Sequence, residues 1–264
     1  MKLVSAMGAS AFLTTYKADI VKAVSDARDY WHIAWLNGGA CTGCTVSFAQ
    51  ASNPDLLQVL TEITVGNSGL PIVLPDYMET IHVASGSLAE ELKEKWKQGS
   101  KGRRILVVEG VIQDPGYCVI AGKDFREHVA EAAQVADAII AVGACATFGG
   151  IPAAKPNPTN AKGLSEFLKE VGINKSVINL PLCPVNGEHI VITLAAVIMG
   201  VKPELDEFGR PKVFFGTNMH YELCPYRPHY DKGHFITVPG EGEEVCKYKI
   251  GCKGPVTWTD CPTR

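Results

Sequence analysis

No run of eighteen apolar residues occurs anywhere in the 264-residue chain, so no segment reads as a membrane-spanning helix. Charge of one sign is also missing. Twenty-five basic residues stand against 28 acidic ones, and the net charge of −3 removes the basic face on which a nucleic-acid binder depends. Low-complexity sequence is absent, because 26 glycines and 16 prolines supply turns without dominating the composition. Hydrophobic residues make up 46% and charged residues only 20%, which excludes wholesale disorder and leaves material for a sizeable core. A phosphate-cradling Ser/Thr/Gly loop is lacking after the first strand candidate. Cysteines occupy that place, which weighs against a flavin site.

The N-terminus also lacks a twin-arginine pair. Met1 to Leu13 reads MKLVSAMGASAFL, one lysine followed by a short apolar stretch, and a polar segment runs on to Tyr30. The stretch is too short to cross a bilayer and is similar to the apolar part of an export signal, with no clear A-x-A site after it. Residues 1–30 are read as an export-signal remnant and linker, with an N-terminal helix as the alternative.

From residue 31 strands and helices alternate. Strands are expected at His32–Leu36, Arg104–Val108, Asp137–Val142 and Ser176–Leu180. Helices are expected from about Cys44, from Asn53 with Pro54 at its first turn, and over Glu79–Gln98, Asp124–Ala136, Leu164–Val171 and Gly187–Met199. Continuous apolar strands between helical patterns imply an α/β fold, a parallel sheet covered on both faces. After residue 200 the alternation stops. Pro203–Arg264 is rich in Gly, Pro, Cys, His and Tyr, with one strand expected at Lys212–Phe215. Such a segment has little core, and a metal or cluster is the usual remedy.

Nine cysteines do not suit a pure disulfide framework, and their spacing is informative. Cys41 and Cys44 follow the first strand through a glycine turn. Cys145 follows the strand ending at Val142, and Cys183 follows the one ending at Leu180. All four therefore sit just beyond the carboxyl ends of parallel strands, the rim where ligands gather in open α/β sheets. Four thiolates from three loops could hold an iron–sulfur cluster or a zinc ion. Cys118 reads as a buried structural cysteine. Glu109, directly after a strand, either faces the same crevice or serves as a carboxylate hydrogen-bonded to backbone amides. A second set comprises His220, Cys224, Cys246 and Cys252, with Cys261 nine residues further on. His229 and His234 compete with His220, and a Cys3His zinc site is the chemical alternative.

Asn37–Cys44 (NGGACTGC), Val108–Gly110, Gly143–Ala146, Ala153–Pro158, Pro181–Pro184 and Cys246–Val256 (CKYKIGCKGPV) together resemble the small subunit of nickel–iron hydrogenases. The resemblance runs from about Trp35 to the last residue. It implies a flavodoxin-like domain over residues 31–205 and an irregular cluster domain over 206–264, bound to a large subunit that holds the nickel–iron centre. The small subunit is then an electron wire with no catalytic side chain of its own. By resemblance, Cys41, Cys44, Cys145 and Cys183 hold a proximal 4Fe-4S cluster, and His220, Cys224, Cys246 and Cys252 a distal 4Fe-4S cluster. Cys261 matches the first ligand of a medial 3Fe-4S cluster. An external acceptor such as a cytochrome is implied. So is a periplasmic location, or one on the outer face of the cytoplasmic membrane, reached by export of the folded protein, with any membrane association through other subunits.

Three departures from the family pattern stand out. The distal spacing is H-x-x-x-C rather than H-x-x-C, which makes His220 the least secure ligand. Two further medial cysteines of the family have no counterpart before Arg264, and the sequence is read as truncated at both ends. Gly43 and Gly150 stand where oxygen-tolerant members carry extra cysteines, so ordinary oxygen sensitivity is expected. The rival identities are a cluster-bearing subunit of respiratory complex I, whose adjacent cysteines are absent, and a zinc-stabilised binding module that is not an enzyme.

Overall fold

The computed structural model describes residues 31–52, 55, 73–99, 102–216, 218–240 and 245–261. The expected N-terminal segment and the helix from Asn53 lie outside the described residues. The chain divides into two compact units, Met1–Pro203 and Glu204–Arg264.

The first unit is built on five parallel strands: β1 (Trp31–Asn37), β2 (Val73–Met78), β3 (Arg103–Glu109), β6 (Ala138–Val142) and β7 (Val177–Leu180), in the order β2-β1-β3-β6-β7. Two short strands, β4 (Val119–Ile120) and β5 (Lys123–Asp124), form a separate antiparallel hairpin. The order is that of a flavodoxin-like sheet, which grows both ways from a switch point between β1 and β3. Ile105, Leu106, Val107 and Val108 of β3 and Ile140, Ala141 and Val142 of β6 are buried whichever face they point to. This burial explains continuous apolar runs in place of alternation.

Helices α1 (Gly43–Ala49), α2 (Gly86–Gln98), α3 (Phe125–Val135), α4 (Gly143–Phe148), α5 (Leu164–Glu170) and α6 (Gly187–Ile198) connect and cover the strands. Helix α3 turns Phe125, Val129, Ala132 and Ala133 into the core at helical spacing. Ten of the twelve residues of α6 are buried, in keeping with its nearly unbroken apolar sequence. Asn186 caps it by accepting the Glu188 amide at 2.9 Å.

Three elements differ from expectation. The helix expected from Glu79 begins at Gly86, and residues 73–78 before it form β2. That strand carries Pro75 and Asp76, which mask it in the sequence. It lies at the edge of the sheet, where a proline is tolerated, and its register against β1 shifts at this point. Lys212–Phe215 is a single helical turn, α7, not a strand. The amides of Phe214 and Phe215 both turn back to the Pro211 carbonyl, and no strand among the described residues pairs with it. Cys145 stands within α4 rather than in a loop.

A charge network joins α2, β5 and α3. Glu131 accepts from Lys97 at 2.7 Å and from Lys123, and these two ammonium groups hold its carboxyl down at about 2. A carboxyl depressed in the folded state stabilises above its unfolded value of 4.5, and that contribution is lost as pH falls from there toward 2. Glu131→Gln is therefore expected to lower stability at pH 7 by about 0.5–1 kcal/mol, modest because the carboxylate is partly exposed. The deficit should vanish in denaturation series taken to pH 2.

Candidate metal centre

The carboxyl ends of β1, β3, β6 and β7 deliver every feature of the first site. Beyond β1, the Gly38 amide donates to the Glu109 carbonyl at 2.8 Å, and Gly39 bridges to Val111, so the chain follows the exit of β3 before reaching Cys41. Thr42 adopts φ 60° and Leu182, directly before Cys183, adopts φ 98°. Both are left-handed, unusual for residues with side chains, and such strain concentrates at functional sites. Helix α1 then starts, with Cys44 buried and Cys41 exposed.

Glu109, the last residue of β3, anchors this turn. Its side chain is 1% exposed. Oε1 accepts the Cys44 amide at 3.0 Å, and Oε2 accepts the Thr45 amide at 3.1 Å, the Thr45 hydroxyl and the Trp35 indole N–H at 3.1 Å. The hydrogen-bonded carboxylate that its position suggests is observed, and it stands beside the crevice cysteines Cys44 and Cys145. Trp35 in turn stacks on Phe48, with ring centroids 5.1 Å apart.

The three cysteine-bearing segments are also tied to one another. The Ser47 hydroxyl donates to the Val185 carbonyl at 2.6 Å, and the Ala144 amide donates to the Leu182 carbonyl at 2.8 Å. Burial pushes the Cys44 thiol up to about 12, against a hydrogen bond from the Val185 backbone, while Glu109, Cys41 and Cys145 reinforce the rise. Cys145 is raised by burial first, then by Cys183 and Cys41, with a backbone hydrogen bond at Ile151 opposing. The four thiols thus share one neighbourhood. A would-be Cβ on Gly143 falls 2.4 Å from Cys44 Sγ, one on Gly43 falls 3.1 Å from Cys41 Sγ, and one on Gly150 falls 3.0 Å from Cys145 Sγ. Bare backbone is what leaves the sulfurs their places.

This donor set fits an iron–sulfur cluster, whose ligands bind separate irons around a volume. A zinc ion would take the same thiolates at about 2.3 Å each. A cavity of about 580 Å³ opens elsewhere, lined by Tyr77, Glu79, His82 and Glu90 but by no cysteine. Burial pushes Glu79 there up to about 7. Cys118, half-buried against the core, is not part of the thiol group.

In the second unit the structure brings Cys224, Cys252 and Cys261 together. Burial raises the Cys261 thiol, and Cys252, Asp260 and Cys224 add to the rise. The Gly254 amide donates to Cys252 Sγ at 3.4 Å. Cys246 is buried, and its backbone is paired with Phe235. Tyr230, Phe235 and Tyr248 pack with ring centroids 5.3–5.9 Å apart. Residues Met219–Leu223, carrying His220 just before Cys224, form a π turn. Asn218 starts it by accepting the Tyr221 amide at 3.1 Å. A π turn takes one more residue than an α turn to close its hydrogen bond. Such a turn has room for the one residue by which H-x-x-x-C exceeds the family's H-x-x-C. Neither the anchoring by Glu109 nor this π turn is visible in any motif.

The profile of the family described as "NADH ubiquinone oxidoreductase, 20 Kd subunit" matches residues 41–197, and that of the C-terminal region of the NiFe/NiFeSe hydrogenase small subunit matches residues 215–264. The chain is 39% identical to the F420 non-reducing hydrogenase I small subunit of Methanosarcina mazei, over all of this chain and 74% of that relative. It is 37% identical to the hydrogenase-2 small chain of Escherichia coli, over all of this chain and 69% of the relative. With the periplasmic NiFe hydrogenase small subunit 1 of Nitratidesulfovibrio vulgaris it shares 38% identity over 94% of this chain and 76% of the relative. Among solved structures it superposes on a NiFeSe hydrogenase chain of Desulfomicrobium baculatum with a TM-score of 0.75 and 32% identity, covering 90% of this chain and 88% of that one.

Gly143 tests the packing of the thiols. Gly143→Ala places a methyl on Cys44 Sγ at φ +83°, whereas Gly172→Ala meets open space at φ +74°. Both substitutions carry a backbone penalty of about 1–2 kcal/mol. Only Gly143→Ala should also lose iron and acid-labile sulfide, measured on anaerobically purified protein.

Proposed function

The chain belongs to the small-subunit family of nickel–iron hydrogenases, electron-transfer subunits paired with a catalytic large subunit, and from that premise we propose where its electrons travel. Cys41, Cys44, Cys145 and Cys183 hold the proximal 4Fe-4S cluster. The observation that carries this assignment is the convergence of four cysteines on one rim of the sheet, where Cys41 and Cys145 act on the buried Cys44 thiol and Cys183 and Cys41 on that of Cys145. His220, Cys224, Cys246 and Cys252 hold the distal 4Fe-4S cluster, supported by the π turn that takes up the inserted residue. Cys261 contributes to a medial 3Fe-4S cluster and stands beside Cys224 and Cys252. Bound clusters would supply one-electron carriers.

The chain's own residues set the terms of that transfer. Thiolates and one imidazole bind, backbone hydrogen bonds at Val185 and Ile151 reach the Cys44 and Cys145 sulfurs, and buried apolar neighbours exclude water. Val46, Phe148 and Ile151 are exposed apolar side chains on or next to the helices that carry Cys44 and Cys145. They give the large subunit an apolar rim on which to close around the proximal site. Gly43 and Gly150 supply no fifth or sixth thiolate, which supports ordinary oxygen sensitivity. An external acceptor such as a cytochrome, and a site of action in the periplasm or on the outer face of the cytoplasmic membrane, complete the proposal. Its support is the relationship to a small subunit described as periplasmic.

Anaerobic co-purification with the neighbouring large subunit, followed by iron and sulfide counting and electron paramagnetic resonance, tests the assignment. Cys145→Ala should perturb the proximal signal alone. His220→Ala should perturb the distal signal, whereas His229→Ala should leave it intact. Colourless protein without labile sulfide would end the proposal, and an effect of His229 in place of His220 would reassign the distal ligand.

A further inference from the structure

Glu109 is placed to do more than hold a turn. Both of its oxygens face donors, four in all: three N–H groups and one hydroxyl. Among the described residues no lysine, arginine or histidine forms an ion pair with it, so a nearly inaccessible negative charge is offset by N–H and O–H dipoles alone. That charge acts on Cys44 and Cys145, which lie on two different segments. It also claims the Cys44 and Thr45 amides, which are thereby turned to a carboxylate rather than to sulfur.

We propose that Glu109 is a positioning residue that fixes the Cys41–Cys44 segment and sets the reduction potential of the cluster held there. The inference rests on the cluster assignment proposed above. A fixed negative charge in a medium of low dielectric opposes the arrival of an electron, so it holds the potential down. Four charge-assisted bonds hold the ligand helix in a single placement while doing so.

Two substitutions in the complete heterodimer move the potential in opposite senses. Glu109→Gln keeps the shape and removes the charge, so the proximal midpoint potential should rise while the distal one stays. Trp35→Phe keeps the ring stacked on Phe48 and removes one donor to the carboxylate, so the charge is less offset and the proximal potential should fall. Redox titrations followed by electron paramagnetic resonance read both. A role confined to structure would leave both potentials unmoved or shift them in the same sense, and either result overturns the proposal. Should Glu109→Gln fail to assemble, the sign of the Trp35→Phe shift decides alone. Native protein without a cluster would instead defeat the assignment on which this inference stands. A native cluster with unmoved potentials would defeat the inference and spare the assignment.

Discussion

One buried carboxylate at the end of the central strand holds the rim of the sheet in its working shape. Burying an unpaired carboxylate costs several kcal/mol even after the protein relaxes around it. Hydrogen bonds to a charged group contribute about 1.5–3 kcal/mol each, and Glu109 receives four. Each donor improves the balance, so the strand end, the indole of β1 and the first turn of α1 are held as a set. The left-handed backbone at Thr42 persists because this set over-determines it. The cysteines are thus positioned by hydrogen bonds that do not involve sulfur.

This division of labour explains what can be read from the sequence. The strands that build the rim are legible because both their faces are buried. Ile105–Val108 and Ile139–Val142 are apolar without interruption, and the cysteines follow such runs at short intervals. Strand β2 is illegible for the opposite reason. It lies at the edge, tolerates Pro75 and Asp76, and so carries no apolar run. Lys212–Phe215 resembles a strand because four residues with two aromatics fit either period, and only Pro211 and the missing partner strand decide for a helical turn. Glu109 is visible as a residue but not as an anchor, since its donors come from residues 64 to 74 positions away. Long-range pairing of that kind leaves no local pattern.

The two units differ in what holds their cysteines, and the difference follows from their cores. In the first unit a five-stranded sheet, covered by helices, stabilises the rim independently of metal. In the second the buried apolar side chains among the described residues are few, chiefly Phe214, Phe215 and Ile236, supplemented by the packed rings of Tyr230, Phe235 and Tyr248. A segment with so small a core depends on its ligands, and the free energy of cluster binding becomes free energy of folding. The second unit is therefore expected to gain most of its rigidity only when its thiolates are engaged, while the first stands ready beforehand. Assembly then has a natural order. On the assignment proposed above, Glu109 and the sheet preorganise the proximal ligands, and the distal ligands order around their cluster. The π turn at His220 belongs to this second regime. A turn that closes over one extra residue departs from regular helix, and binding at His220 within it and at Cys224 directly after it would hold it in that form.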